Sequence, residues 1–158
     1  MIPIIAGEAK GNRSLAQEKW AQSLNISEKI KDRGGISWVR GGLASWETFL
    51  QGAYVCEFHL FIRRLLAADP SLHAPAGIQG GRKRKSGCCL PDRHGLVSKL
   101  LAACPDRVLV TNEIGYGIVP LDPFEREYRE ETGRICCLLA AEAKEVWRVS
   151  CGLGQRIK

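Results

Sequence analysis

Three stretches of this sequence bring together residue types that could line a ligand site. The first is TNEIGYGIVP, Thr111 to Pro120, which follows the apolar run RVLV. That run reads as a buried strand, and just past it stand a carboxylate, Glu113, and two glycines, Gly115 and Gly117. Glycines there permit positive φ or let a ligand come close to the backbone. Ligands of open α/β sheets bind outside the carboxyl ends of the strands. A tight turn with a solvated glutamate is the competing reading. The second stretch is AYVCEF, Ala53 to Phe58, a strand rich in β-formers, with Glu57 at its end and His59 directly after it. The carboxyl end of a central strand suits catalysis or metal–phosphate binding, while a capping or partly buried histidine at a helix start is the alternative. The third is GEAKGNRS, Gly7 to Ser14, a glycine-containing turn between a short apolar strand and a helix start.

The elements that must position these residues follow from their patterns. IPIIAG, Ile2 to Gly7, is a short strand ending in glycine. SLAQEKWAQSL carries Leu15, Trp20 and Leu24 at near-helical spacing, with Ser14 as N-cap. From Asn25 to Gly52 the pattern is weak; two glycine pairs, Gly34-Gly35 and Gly41-Gly42, suggest loops and one short helix. HLFIRRLLAA reads as a helix, and the proline-, glycine- and lysine/arginine-rich residues 69–94 as an irregular surface loop. GLVSKLLAAC is the next helix, followed by the strand RVLVT. Asp122, Pro123 and Glu125 then form the clearest helix start in the chain, N-cap, N1 and N3 of a capping box. One apolar face continues from Phe124 to Leu139, with Gly133 as a point of bending, and EVWRVSCG and QRIK close as strands. Arg126 and Arg129 lie one turn apart on that helix, either as phosphate contacts or as surface partners of Glu125 and Glu130. Strands alternating with helices predict an α/β fold around a mainly parallel sheet.

The chain has 158 residues, enough for a single domain with a sizeable core. Its hydrophobic content of 45% and charged content of 25% are globular values. The net charge of +6 favours acidic partners, among them nucleotide phosphates, nucleic acid and anionic membranes. RKRK, Arg82 to Lys85, has no interleaved aromatic residues and reads as a solvated loop, so no nucleic-acid partner is expected. No apolar run is long enough to span a bilayer, and no signal peptide is recognisable in the first residues. The seven cysteines are an odd number without C-x-x-C spacing, which predicts reduced thiols in a cytoplasmic protein and no metal site.

From Val108 to Lys158 the chain resembles, without a gap, the C-terminal third of the bifunctional adenosylcobinamide kinase / adenosylcobinamide-phosphate guanylyltransferase family. The carrying motifs are TNEIGYGIVP, REYREETGR, AKEVW and GLG followed by a terminal Ile-Lys. The resemblance implies a three-layer P-loop (RecA-like) fold, ATP or GTP with Mg²⁺, an adenosylcobinamide-type corrinoid substrate, and self-association as a trimer. It implies phosphorylation of the corrinoid's aminopropanol hydroxyl, then GMP transfer through a guanylylated histidine. It also puts Gly7, Glu8, Ala9, Lys10, Gly11, Asn12, Arg13 and Ser14 in the place of the phosphate-binding loop. Asn12 then falls where that loop has its lysine, or, one residue on, Arg13 takes the lysine's place and Ser14 the hydroxyl's. By the same resemblance Glu57 and His59 stand near an acidic metal–phosphate position, and Glu113, Gly115 and Gly117 wall a nucleotide site, with Arg126 and Arg129 toward phosphate. Residues 25–52, where the family carries its guanylylated histidine, contain none; the chain's histidines are His59, His73 and His94. Two functions follow as expectations: a nucleotide-dependent transferase of cobalamin biosynthesis, or a nucleotide- or corrinoid-binding protein that has lost the chemistry.

Overall fold

The computed structural model describes residues 3–7, 37–75, 78, 92–150 and 153–158, with backbone alone for 3–7 and 153. Six strands form one sheet: β1 (Pro3–Gly7), β2 (Val39–Arg40), β3 (Tyr54–Cys56), β4 (Val108–Thr111), β5 (Glu145–Ser150) and β6 (Leu153–Arg156). Their order across the sheet is β2-β3-β4-β1-β5-β6. The first five are parallel, and β6 runs antiparallel to β5. Among the described residues four α-helices accompany them: α1 (Trp46–Gln51), α2 (Phe58–Leu66), α3 (Arg93–Ala103) and α4 (Pro123–Glu142). The expected α/β class and mainly parallel sheet are what the structure has.

The direction of the crossovers decides where a ligand can enter. From β2 to β3, β3 to β4 and β4 to β5 the chain steps the same way across the sheet, whereas β1 to β2 steps the opposite way. Right-handed crossovers therefore put α1 to α4 on one face. The reversal at β1 leaves a crevice between its carboxyl end and those of its neighbours, the position where open α/β sheets bind ligands.

The core on that face joins all four helices to the sheet. Phe49 of α1 stacks on Phe61 of α2 at 3.9 Å between centroids, and Trp46 and Phe58 flank the pair at 5.9 and 6.2 Å from Phe61. Leu96 and Leu100 of α3, Ile135 and Leu139 of α4, and Val55 and Leu109 of the sheet complete it. Truncating Phe61 to alanine would cost about 3–5 kcal/mol in lost burial and cavity. All four residues of β4 are buried, as expected of a strand covered on both faces. On the opposite face Cys56, Val108 and Val110 pack with Trp38, Tyr54, Trp147 and Val149.

Local signals set several element ends. Asp122 accepts from the Phe124 N–H at 3.0 Å with Pro123 following it, as a helix start requires. Glu125, the other half of the expected capping box, turns to Arg63 of α2 at 2.5 Å. Gly133 produces no break in α4, which runs unbroken from Pro123 to Glu142. Within the stretch expected to be irregular, Pro70–Leu72 forms a 3-10 turn capped by Asp69, and α3 starts at Arg93. The weakly patterned region yields the expected short helix, α1, and also a strand that was not expected, β2, whose two residues are too few to show alternation. The helix expected after Ser14 lies outside the described residues. Among the described residues no helix is long and apolar enough to cross a membrane.

Candidate functional site

Because β1 to β5 are parallel, their carboxyl ends share one edge of the sheet. Arg40 ends β2, Glu57 follows β3, Thr111 ends β4 with Asn112 and Glu113 beyond it, and Arg148 to Ser150 end β5. Gly7 ends β1 between them: Ala6 is in register with Thr111 on one side and Arg148 on the other, and Gly7 with Val149. Topology thus brings together Glu57, His59 and Glu113 from separate parts of the chain. Glu8, Ala9, Lys10, Gly11, Asn12, Arg13 and Ser14 lie outside the described residues.

Glu57 is buried and sits in the left-handed region at φ 58°, ψ 37°, a conformation that costs a non-glycine residue about 1 kcal/mol or more. Its neighbours hold it there. Arg40 donates to its carboxylate from Nη2 at 2.8 Å and from Nε at 3.3 Å. Its carbonyl accepts from the N–H groups of Leu60 and Phe61 as α2 begins. The chain at Gly41 passes so near that a Cβ would lie 2.4 Å from the Glu57 carbonyl oxygen. The RGG sequence of residues 40–42 is thereby explained: an arginine for the acid and a glycine for the approach. Arg64 fastens the same loop from below, donating from Nη1 to the carbonyls of Gly41 and Ala44 and from Nε to Asp69 at 2.7 Å. Those bonds and Ser71 hold the Asp69 carboxyl down at about 2.

His59, the second residue of α2, is 5% exposed, and its Nδ1 accepts from the Asn112 backbone N–H at 3.3 Å. The imidazole therefore ties the start of α2 to the end of β4, next to Glu113. Of the two readings of His59, the buried histidine at a helix start describes its burial and its bond; His73 and His94 are exposed.

Glu113 pairs with Arg148, Nε to Oε2 at 3.3 Å. Arg148 Nη2 also donates to the Tyr116 hydroxyl, and its guanidinium lies 5.7 Å over the Tyr116 ring. Glu113, Tyr116, Arg148, Val149 and Ser150 line a cleft of about 180 Å³ between the segment after β4 and the end of β5. Gly117 has φ +96°, so a side chain there would be strained, and a Cβ at Gly115 would meet nothing within 4 Å. Arg126 Nη1 donates to the carbonyls of Pro120 and Leu121, and Arg129 Nη1 to that of Ile118. These two arginines fasten the exposed loop that follows Glu113, a role that neither sequence reading of them contained. Glu125 and Glu130 take Arg63 and Arg134 instead. Sequence reasoning also missed Arg40 and Arg148. A cation at the end of an apolar strand, as in WVRGG and EVWRVS, is the signal that could have found them.

Residues 82–157 match the family described as cobinamide kinase / cobinamide phosphate guanyltransferase. The chain is 48% identical over 66 residues to the bifunctional adenosylcobalamin biosynthesis protein CobU of Escherichia coli (strain K12), covering 39% of this chain and 36% of that protein. It is 51% identical over 63 residues to the protein of the same name from Salmonella typhimurium (strain LT2), covering 37% of this chain and 35% of that one. The chain thus spans about a third of the length of the curated relatives it matches.

Proposed function

We propose, from the match of residues 82–157 to the cobinamide kinase / cobinamide phosphate guanyltransferase family, that the chain is a nucleotide-dependent transferase of cobalamin biosynthesis. In this reading it transfers phosphate from ATP or GTP to an adenosylcobinamide-type corrinoid in the cytoplasm, as a P-loop (RecA-like) protein able to form a trimer. The observation that carries the reading is the convergence of Gly7, Thr111–Glu113 and Arg148–Ser150 around the end of β1, where the crossovers change direction. Phosphoryl transfer asks mostly for positioning and charge neutralisation, and this edge offers an acid, a cation and strand-end backbone. Among the described residues no three acids, histidines or cysteines are grouped as a metal cage. Mg²⁺ that arrives with a triphosphate takes most of its ligands from phosphate and water, so Glu113 as a single carboxylate fits it. When bound, that ion would neutralise phosphate charge; the protein's part is to orient the phosphates and exclude water.

The test is incubation of the purified protein with adenosylcobinamide, ATP, GTP and Mg²⁺, read by mass spectrometry. Cobinamide phosphate is the expected product. A second reading, a nucleotide- or corrinoid-binding protein without turnover, is favoured by the asparagine at position 12 and by the burial of His59. Binding of triphosphate with no cobinamide phosphate formed would establish that reading in place of the first.

A further inference from the structure

We propose that Arg148 is the residue that grips the ligand's phosphates, exchanging Glu113 for a phosphate oxygen when a nucleoside triphosphate enters. This rests on the nucleotide reading above and names the cation of that site. The first support is position. Arg148 is in register with Ala6, one residue before the end of β1, and Thr111 is in register with the same residue from the other side. Trp147 and Val149 pack on the face away from the helices, and Val146 on the helical core. Strand alternation therefore turns Arg148 to the helical face, where Glu113 and Tyr116 stand.

The second support is how loosely Arg148 is engaged. Arg64 in α2 and Arg93 in α3 make several short bonds to acids or carbonyls, and Arg40, which ends β2, bonds Glu57 at 2.8 Å. Arg148 makes one ion pair, at 3.3 Å, with both partners part-exposed at 42% and 30%. A pair of that kind contributes little and is readily exchanged. Tyr116 holds the guanidinium by its ring and its hydroxyl, so the planar fork is already oriented, and such a fork matches phosphate oxygens two at a time. The third support is size. A cleft of about 180 Å³ is smaller than the roughly 300 Å³ at which pockets for whole small molecules begin, and it suits a phosphate group better than a nucleoside. Glu113, released by the exchange, would be free to hold an Mg²⁺ that arrives with the triphosphate.

Calorimetric titration with MgATP, MgGTP and adenosine tests this in the wild type, Arg148→Gln, Arg148→Lys and a remote charge control, Arg134→Gln. Arg148→Gln should weaken triphosphate binding by about tenfold or more, the weight of a charge-assisted hydrogen bond. Adenosine binding should be unchanged, Arg148→Lys should recover part of the loss, and Arg134→Gln should bind as the wild type does. Wild-type affinity in Arg148→Gln, beside a wild type that binds triphosphate, would overturn this assignment alone. A wild type that binds no triphosphate at millimolar concentration would overturn the nucleotide reading and the assignment together.

Discussion

The imidazole Nδ1 of His59 accepts a hydrogen bond from the Asn112 N–H at 3.3 Å, joining α2 to the end of β4 beside Glu113. A nitrogen that accepts this bond has no proton on it, and with the side chain 5% exposed the ring is built into the structure. Since guanylyl transfer through histidine needs an accessible imidazole nitrogen, the wild type exposed to radiolabelled GTP should carry no acid-labile label while cobinamide phosphate still forms. Label in the wild type that disappears in His59→Ala would make His59 the nucleophile, and label in both would reveal another. The same substitution should destabilise the fold by about 1–3 kcal/mol, because it strands the Asn112 amide.

Glu57 separates strain from function. Replacing it by glycine relieves a left-handed backbone worth about 1 kcal/mol or more and gives up an ion pair to a 58% exposed arginine, worth about 0–1 kcal/mol. The unfolding free energy of Glu57→Gly should therefore stay within about 1 kcal/mol of wild type, while phosphoryl transfer to cobinamide falls sharply. Equal loss of stability and activity would make Glu57 a structural residue.

Two arginines on the helical face should differ in weight. Arg93 holds Glu131 with two bonds, 2.5 and 2.6 Å, and the Glu131 side chain is 3% exposed. Arg93→Ala leaves that charge buried and alone, so denaturant titration should show a loss of about 3–5 kcal/mol. Arg134 pairs with Glu130 on the exposed surface of α4, and Arg134→Ala should cost no more than about 0.5 kcal/mol. Equal effects would contradict the burial argument.

Asp69 predicts a pH dependence of stability. Its folded-state value, about 2, lies below the ordinary 3.8, chiefly because Arg64 bonds to it. A depressed carboxyl stabilises the folded state above its unfolded value and loses that contribution as pH falls through its folded one. Wild type should thus melt above Asp69→Asn at neutral pH, with the gap narrowing below about pH 4 and closing near pH 2. A gap that persists at pH 2 would trace to packing instead of charge.

The cysteines should fall into two classes. Burial, with Glu57 beside it, pushes the Cys56 thiol up to about 11, and burial pushes that of Cys136 up to about 12. Cys137 is exposed. Iodoacetamide at pH 8, mapped by mass spectrometry, should modify Cys137 well before Cys56 or Cys136, since the thiolate is the reactive form. Comparable rates at all three would contradict the described burial.

What could be read from the residues alone was local in origin. Asp122-Pro123 announces the start of α4, because a side-chain acceptor and a missing N–H suit the first turn of any helix. VLVT announces a central strand because all of its side chains are apolar or β-branched. The motifs from Thr111 onward carried the family over the stretch where it was found. The partners of the charged residues were beyond such reading. Arg40 meets Glu57 across 17 residues, Arg93 meets Glu131 across 38, and Arg63 meets Glu125 across 62. A side chain's sequence neighbours do not say what lies opposite it once strands pair out of order. Arg126 and Arg129 make the point: their spacing suggested either phosphate or a neighbouring glutamate, yet they bond to the backbone of the 118–121 loop. Arg148 likewise becomes a phosphate candidate only after β5 is laid beside β1 and the chain beyond β4 returns over both, because parallel pairing across crossovers is what puts those strand ends together.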